Sequence, residues 1–330
     1  MAATVSERTK REPTALGPLA LGGAAWILLP VTMPSLLDAL RGPAGRSRRR
    51  GLGALLVVVA VAGCRIDPDD GAPSAPDAGA DDAASCGMLF GAPNEHTGLD
   101  ASQCQPRCAC GGTAFEPPVY GDAFVRSLVD DWEVAPPYAT VDVDPYLSPA
   151  PAADPPETVC AVLPTAGPSA LPRAYALATY ASESAARAAG ASPTHFGHCG
   201  VCSTLADLAV YMREADLTGP VRACGLSSKD AASNVACLQA LGFDLPCAQV
   251  WYWNTAHTRS VCLAPCLAEL NAPYQLSDGG LNACIQCDET ESGPTFKAVA
   301  GRTRRNSGLP NALCRPCSEV RPLVHDYRAP

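Results

Sequence analysis

Cysteine content constrains the fold of this chain more than any other feature. Of its 17 cysteines in 330 residues, 16 lie between Cys86 and Cys317. An even and dense set of this kind is typical of a disulfide framework in an exported protein, where the surroundings are oxidising. The pairing of sixteen cysteines does not follow from their spacing. The segment from Cys86 onward, called the head below, has few Phe, Ile and Met residues for a core. We therefore expect disulfides to contribute to its stability, typically about 2–4 kcal/mol each.

The remaining cysteine, Cys64, follows a segment with the order of an export signal. A basic cluster within residues 46–50 precedes the apolar stretch Gly51–Ala62, which ends in small residues. This stretch is too short to cross a bilayer, which takes about 20 apolar residues. Val61-Ala62-Gly63-Cys64 resembles the lipobox of bacterial lipoproteins, in which the cysteine is lipidated and becomes the first mature residue. The resemblance implies a membrane anchor at Cys64, whereas the alternative is an ordinary signal with a coincidental cysteine.

The same resemblance implies a cellular location, and the composition of the chain after Cys64 predicts its domain organisation. Arg65, directly after the lipobox, favours an outer-membrane lipoprotein of the bacterial cell envelope that faces the periplasm or the cell surface. Residues 65–85 hold six Asp and three Pro, a composition that buries too little apolar surface to offset chain ordering. The predicted divisions are an upstream extension at 1–32 with the start at Met33, a signal peptide at 33–63, a lipidated cysteine and disordered tether at 64–85, a small Cys-rich subdomain at 86–115, a Pro-rich segment at 116–171 and a helical Cys-rich domain at 172–330.

The net charge argues against two classes of partner. After removal of residues 1–63 the chain keeps 16 basic and 30 acidic residues, a net charge of −14. Nucleic acids and anionic lipid surfaces both require a cationic face. We therefore expect no nucleic-acid partner, a membrane contact only through the lipid anchor, and an unknown protein or small-molecule ligand.

Apolar periodicity predicts a helical head. Leu205, Leu208, Ala209 and Met212 recur at helical spacing, and Thr204 with Asp207 resembles a capping box. Asp207 lies off this apolar stripe. Further helices are predicted over 122–132, 182–189, 229–241, 246–258, 262–270, 283–288 and 296–300, and strands only over 174–180 and 194–196. The predicted fold is mainly α and disulfide-rich, with little strand and long Pro-rich irregular segments.

One CxxC motif, Cys199-Gly200-Val201-Cys202, directly precedes a predicted helix. A helix N-terminus lowers the pKa of nearby thiols and makes them nucleophilic. The preceding order of strand, helix and short strand resembles the start of the thioredoxin-like family, which implies a redox dithiol at Cys199 and Cys202. The alternative, which cysteine usage in exported proteins favours, is that both are structural bridge members. The wider segment Cys199–Tyr211 resembles uncharacterised secreted cysteine-rich proteins with the pattern CGxCSxLxDLAVY, which implies no activity.

Two other chemistries remain open around this motif. Cys199–Ser203 also resembles the nucleophile segment of papain-like cysteine peptidases, which implies Cys202 as the nucleophile and His325 as its partner. Zinc is a further alternative, because four pairs have ligand spacing and two histidines lie beside the first of them. The pairs are Cys199/Cys202, Cys262/Cys266, Cys284/Cys287 and Cys314/Cys317, and the histidines are His195 and His198. A closed disulfide cannot bind metal, so we expect no cofactor.

A basic run stands out in this acidic chain. Arg302, Arg304 and Arg305 lie between Gly301 and Gly308. Flanking glycines predict an exposed loop, and arginine forks there would form an anion-binding site. The alternative is local pairing with the acidic residues of segment 288–291.

The last candidate for a functional site is a cluster of aromatic side chains. Trp251, Tyr252, Trp253 and His257 surround Asn254 on a predicted helix. Trp251 and Trp253 cannot share one helical face, so the cluster either contacts a ligand or is partly buried in the core. No catalytic residue is assigned. The sequence favours an exported lipoprotein with a binding or structural head, and the alternative is a thiol–disulfide oxidoreductase using Cys199 and Cys202.

Overall fold

The structure is a computed structural model that describes residues 87–110, 113–135, 139–165 and 171–327. The predicted signal peptide, Cys64, the tether and Cys86 lie outside the described residues, and the side chain of Cys110 is likewise not described. Within the described ranges, no helix is both long enough and apolar enough to span a bilayer.

Helices dominate the second half of the head. Their bounds are α1 Asp122–Asp130, α2 Glu183–Ala188, α3 Leu205–Arg213, α4 Thr218–Ser227, α5 Ala231–Ala240, α6 Leu245–Val261, α7 Leu263–Ala268, α8 Ala283–Cys287 and α9 Gly293–Ala300. A π-helix over Asp288–Ser292 joins α8 to α9. Most of these helices coincide with the predicted ones, and α3 begins at the predicted cap, where Thr204 Oγ1 accepts a hydrogen bond from the Asp207 amide.

Three small sheets accompany the helices. The strands are β1 Leu89–Phe90, β2 Cys104–Gln105, β3 Cys108–Cys110, β4 Thr113–Phe115, β5 Trp132–Val134, β6 Val159–Pro164, β7 Arg173–Tyr180, β8 Ser192–Phe196 and β9 Arg315–Pro316. Two sheets are minor, with strand orders β2-β1-β9 and β3-β4. The largest has the order β5-β7-β6-β8, with β6 antiparallel to both of its neighbours. It therefore places β6 inside the β7-α2-β8 unit, as in a split β-α-β arrangement.

The helix-rich and disulfide-rich character of the prediction is confirmed, but the head holds more strand than predicted. Strand β6 lies in the segment assigned as Pro-rich and irregular, at 116–171. Its residues Val159–Val162 are buried and read as one continuous apolar run. A central strand of this kind lacks the polar and apolar alternation that marks a half-exposed strand, which is why the pattern missed it.

The main core forms around α3. Leu205 and Leu208 are fully buried there, together with Leu238 of α5 and Val250 of α6. Asp207, predicted to lie off the apolar face, is also fully buried. It is accommodated because Thr204 Oγ1 and the Asp244 amide both donate to its carboxylate. Burial raises the pKa of Asp207 well above its usual value.

Seven disulfides join cysteines of the described residues. They are Cys104–Cys314, Cys108–Cys317, Cys160–Cys199, Cys202–Cys247, Cys224–Cys237, Cys262–Cys287 and Cys266–Cys284. Four of these disulfides form two ladders of two bonds each. In each ladder, two cysteines close in sequence bond to two other cysteines that are close in sequence. One ladder fixes α7 against α8, and the other connects segment 104–108 to segment 314–317. The segment predicted as a small N-terminal subdomain is thus covalently tied to the C-terminal part of the head.

Candidate functional site

A groove of about 320 Å³ opens between α4, α6, α7, α8 and α9. This volume lies near the lower end of the range of about 300–1,000 Å³ that small-molecule sites occupy. Its inner wall is apolar and buried, formed by Val221, Ile285, Phe296 and Leu313. The groove is therefore a cleft with an apolar interior, which is the usual shape of a ligand site.

Exposed leucines form the rim of this groove. Leu226 is 71% exposed, Leu263 50%, Leu267 63% and Leu270 45%. Leu263, Leu267 and Leu270 follow i, i+4, i+7 spacing, an apolar stripe that sequence reasoning would assign to a core. Clustered exposed apolar side chains beside a cavity mark a binding surface more often than scattered ones do.

Disulfides and a glycine hold the walls of the groove in place. The Cys262–Cys287 and Cys266–Cys284 bridges fix α7 against α8, and Cys266 and Cys284 line the groove. On the opposite wall Gly225 lets α4 approach α6, since a Cβ there would lie 2.8 Å from Thr255 Cγ2. The leucine rim is therefore set by covalent and steric constraints from two sides.

The π-helix brings two acidic residues to the groove, Asp288 and Glu289. Single-turn π-helices are uncommon and are frequently found at functional sites. Asp288 is mostly buried and accepts hydrogen bonds from Thr258 Oγ1 and from Asn254 Nδ2, the latter at 3.3 Å. Burial raises the pKa of Asp288, and the hydrogen bond from Thr258 opposes that shift.

Behind Asp288 a polar network supports the π-helix. Ser292 Oγ lies 2.8 Å from Thr258 Oγ1 and 3.0 Å from His257 Nδ1. The His257 ring stacks on Tyr146 with centroids 4.1 Å apart, and the Tyr146 hydroxyl lies 2.8 Å from Asn254 Oδ1. These contacts connect α6 to the π-helix and to the segment before β6, so the positions of the acidic residues are well determined.

Glu289 lies at the centre of three cations. Its carboxylate is 2.6 Å from Arg315, 2.8 Å from Arg305 and 3.0 Å from Lys297. Burial alone would raise the pKa of Glu289, but the charges of Arg315, Arg305 and Lys297 outweigh it and lower the pKa to about 2. The carboxylate therefore remains ionised throughout the physiological pH range.

Three further arginines line the groove without a carboxylate ion pair among the described residues: Arg222 of α4, Arg259 of α6 and the buried Arg304. Arg259 donates from Nη2 to the carbonyl oxygen of Gly225. Nearby, the Tyr211 hydroxyl and the Trp251 indole N–H are buried in the groove wall without a hydrogen bond of good geometry. Among the described residues, Arg222 and most N–H groups of Arg259 have no hydrogen-bond acceptor.

The predicted redox pair is not brought together as a dithiol. Cys199 is bonded to Cys160 of β6, and Cys202 to Cys247 of α6. Cys202 and Cys247 are fully buried. Exchange at a CxxC motif requires a bond that opens and closes between its own two cysteines, so this arrangement matches the structural interpretation instead.

The papain-like interpretation is wrong. Cys202 has no free thiol, and His325 is 3% exposed with both ring nitrogens occupied. His325 Nε2 lies 2.9 Å from the Ser307 carbonyl oxygen and Nδ1 lies 3.0 Å from the Tyr327 hydroxyl. Burial lowers the pKa of His325 to about 3, so it is a neutral structural side chain.

A serine and a histidine next to the CxxC motif do form a close pair that sequence reasoning missed. Ser203 Oγ lies 2.7 Å from His195 Nε2. The His195 Nδ1 lies 2.9 Å from the Phe196 carbonyl oxygen, so Nδ1 carries the proton and Nε2 accepts from Ser203. Both side chains are fully buried. A substrate cannot reach them, and the pair is a core contact.

Zinc ligation by the closely spaced cysteines has no support in the described residues. Every cysteine of the four pairs considered for zinc is engaged in a disulfide. Among the described His, Cys, Asp and Glu side chains, no group of three or more has an arrangement suited to a metal ion.

The predicted exposure of the loop at residues 302–305 is wrong for Arg302 and Arg304, whereas Arg304 and Arg305 line the groove. Arg302 is fully buried and Arg304 is 7% exposed. Gly301 adopts φ of +73°, and a Cβ there would lie 2.5 Å from the Gly200 backbone nitrogen. The flanking glycine therefore allows close packing against the CxxC segment, whereas the prediction took it as a sign of exposure.

Each of the three arginines has protein partners. Arg302 uses all five guanidinium N–H groups, donating to the Cys202, Thr194 and Ser203 carbonyls and to the Thr194 and Ser307 hydroxyls at 2.7–3.4 Å. Arg304 donates to two backbone carbonyls and lies over the Tyr211 ring. Arg305 pairs with Glu289 and Glu319. For Arg305 the predicted alternative, pairing with the acidic segment 288–291, describes the contact correctly.

The aromatic cluster splits between the two predicted roles. Trp251 lines the groove with Asn254, whereas Trp253 donates from Nε1 to the Val141 carbonyl oxygen at 2.9 Å. The groove residues that the sequence did not suggest are Arg222, Arg259, Asp288 and Glu289. The leucine stripe at residues 263–270 was the one sequence signal for this groove. Its apolar periodicity is the same whether the leucines lie at the rim of a groove or in a core.

Comparisons with known proteins give one match. A family of unknown function, DUF8771, matches residues 231–322, a range that includes most of the groove. No curated protein matches the chain, and no solved structure matches it. The matched range runs from α5 to the segment after β9 and so contains the leucine stripe, the π-helix and Glu289 with its three cations.

Proposed function

We propose that this protein is an exported, membrane-anchored lipoprotein whose disulfide-stapled head binds a ligand in the groove between α4 and α7. The observation that carries the proposal is the convergence of four exposed leucines on one cavity. Water-exposed apolar side chains are costly when clustered, and covering them with a ligand recovers about 25 cal/mol per Å² of buried apolar area.

Two features support export and anchoring. The lipobox-like segment ending in Cys64 supports lipidation, although it lies outside the described residues. The seven disulfides support an oxidising compartment, since such bonds are rare in the cytosol. Two acyl chains anchor a protein stably where one does not.

The anchor is tested by metabolic labelling in a bacterial host. Cells that express the full chain are grown with an alkyne palmitate analogue, and the purified protein is assayed for label. We expect label on the unchanged protein and on a Ser74→Ala control in the tether, and none on Cys64→Ser. Label retained by Cys64→Ser, or absent from all three proteins, would exclude lipidation at this residue.

The groove is tested with Nile red, a neutral apolar dye that fluoresces on leaving water. We expect saturable binding to the head and at least tenfold weaker binding to Leu267→Asp. Leu276→Asp is the matched control, because Leu276 is 53% exposed but does not line the groove. Equal binding by both variants would place the dye elsewhere and would count against the groove as a ligand site.

The alternative function, a thiol–disulfide oxidoreductase using Cys199 and Cys202, receives less support from the same geometry. Peptide mapping of the oxidised protein decides it directly. The structural interpretation predicts linked peptides for Cys160–Cys199 and for Cys202–Cys247. A peptide holding an internal Cys199–Cys202 bond that mild reductant opens selectively would instead favour the oxidoreductase.

A further inference from the structure

Charge is distributed unevenly over the groove walls. Six basic and two acidic side chains line it, although the head is predicted to be acidic as a whole. The basic residues are Arg222, Arg259, Lys297, Arg304, Arg305 and Arg315, and the acidic ones are Asp288 and Glu289. The groove is therefore a local cationic site in an otherwise acidic protein.

Most of these cations already have partners. Lys297, Arg305 and Arg315 surround Glu289, and Arg304 donates to the carbonyls of Pro310 and Glu214. Each of these four cations is held by a carboxylate or by backbone carbonyls, so they are less available to a ligand than the two arginines that remain.

Arg222 and Arg259 differ from this group. Neither has a carboxylate partner within the described ranges, and only one N–H group of Arg259 is used, by the Gly225 carbonyl. Arg259 binds the carbonyl of Gly225, which lies three residues after Arg222 on α4. Residues three apart lie on one face of a helix, so the Arg259 guanidinium is on the same face of α4 as Arg222. Together the two side chains have donors available for an anion.

From this we propose that the groove binds a single-chain amphiphile with an anionic head group. The apolar chain lies along Leu226, Leu263 and Leu267, and the carboxylate or phosphate is held by Arg222 and Arg259. The inference rests on the proposed function and adds the ligand's chemistry to it. A cavity of about 320 Å³ lies at the lower end of the small-molecule range, which suits one chain better than a peptide.

Calorimetry with C12 amphiphiles below their micelle concentrations tests the charge preference. Laurate and monododecyl phosphate represent a free fatty acid and a lipid-type head group, and dodecyltrimethylammonium provides the opposite charge. We expect both anions to bind, with the cation at least tenfold weaker. Shortening laurate to decanoate should weaken binding about 15-fold, since each buried methylene contributes about 0.8 kcal/mol.

Variants locate the head group. Arg222→Gln should weaken laurate binding at least tenfold, because hydrogen bonds to charged groups are among the stronger contacts in proteins. Arg126→Gln on α1 is the matched control, since Arg126 is exposed and does not line the groove. Full laurate affinity in Arg222→Gln would overturn the assignment of the head group.

The two proposals fail in different ways. If Nile red binds and depends on Leu267 while laurate and dodecyltrimethylammonium bind equally, the groove is a ligand site and the anionic preference is wrong. If neither dye nor laurate binds, both proposals fail. Binding by only one of the two anions would confirm the charge preference and identify the head group as carboxylate or phosphate.

Discussion

Arginine has opposite roles in two regions of this head. Around Arg302, the chain encloses a guanidinium completely and gives each of its five N–H groups an acceptor. In the groove, Arg222 and Arg259 keep donors that the other described residues do not use, and exposed leucines lie beside them. A buried guanidinium whose N–H groups all have acceptors fixes the positions of those acceptors. A partly exposed guanidinium with unused N–H groups can bind an anion and keep its existing contacts.

The regions also differ in how disulfides act on them. Cys160–Cys199 and Cys202–Cys247 secure the strand and helix next to Arg302, so that bridges and hydrogen bonds hold the same residues. In the groove the α7–α8 ladder fixes the walls but leaves the cavity open. We infer that the CxxC segment is structural and that the groove carries the function.

The largest expected effect comes from breaking the Arg302 cluster. Arg302→Met removes the Arg302 donors from the buried carbonyls of Cys202, Thr194 and Ser203, and each acceptor left unpaired costs about 1–3 kcal/mol. We expect the free energy of unfolding to fall by more than about 3 kcal/mol in denaturant titration. Arg222→Gln is the control and should stay within about 0.5 kcal/mol of the unchanged protein. Similar losses in the two variants would remove the distinction between the regions.

A smaller, pH-dependent effect on stability is expected from His325, which lies in the same cluster as Arg302. Burial and the Arg302 charge lower the pKa of His325 to about 3, from an ordinary value of 6.5. Below pH 6.5 the unfolded chain takes up a proton that the folded head does not, so acid destabilises the folded state through this residue. His325→Gln lacks this proton uptake.

We expect the variant to gain stability relative to the unchanged protein by about 1.4 kcal/mol per pH unit from pH 6.5 downward. Denaturant titrations of both proteins at pH 7, 6 and 5 give this difference. Comparison of the pair cancels the contributions of other groups, including Asp207 and Asp288, whose raised pKa values act in the opposite direction. A constant difference across this range would show that His325 is not held neutral by its surroundings.

The smallest effect concerns the groove wall. Gly225→Ala adds a Cβ that would lie 2.8 Å from Thr255 Cγ2 and so forces α4 away from α6. Crowding of this kind costs about 1–3 kcal/mol, and the helix gain of alanine over glycine offsets about 0.5–1 kcal/mol of it. We expect a net loss near 1 kcal/mol by denaturant titration, with clearly weaker Nile red binding. A more stable variant with unchanged dye affinity would show that this contact does not shape the groove.

Much of the helical framework could be predicted from the sequence. The α3 helix followed from its apolar period and its Thr204 cap, because both signals are local. Strand β6 could not, since a strand buried on both faces shows no alternation. Helix α4 contains Gly219, Pro220 and Gly225, which weaken any local helix signal, and tertiary packing decides its conformation instead.

The groove was beyond local reasoning for a related reason. Its charged residues lie on α4, α6, the π-helix and the C-terminal segment, and only the folded chain brings them together. The burial of Arg302 depends on acceptors more than 90 positions away in sequence. Local charge density therefore predicted an exposed loop at 302–305, whereas Arg302 is fully buried and Arg304 and Arg305 form part of the groove wall.

The most direct measurement is photo-crosslinking with a diazirine-bearing dodecanoate, followed by peptide mapping. If the groove carries the function, label will fall on peptides that contain residues 218–227 and 263–270, and unlabelled laurate will compete it away. Label concentrated on residues 194–203, or spread without competition by laurate, would contradict the assignment of function to the groove.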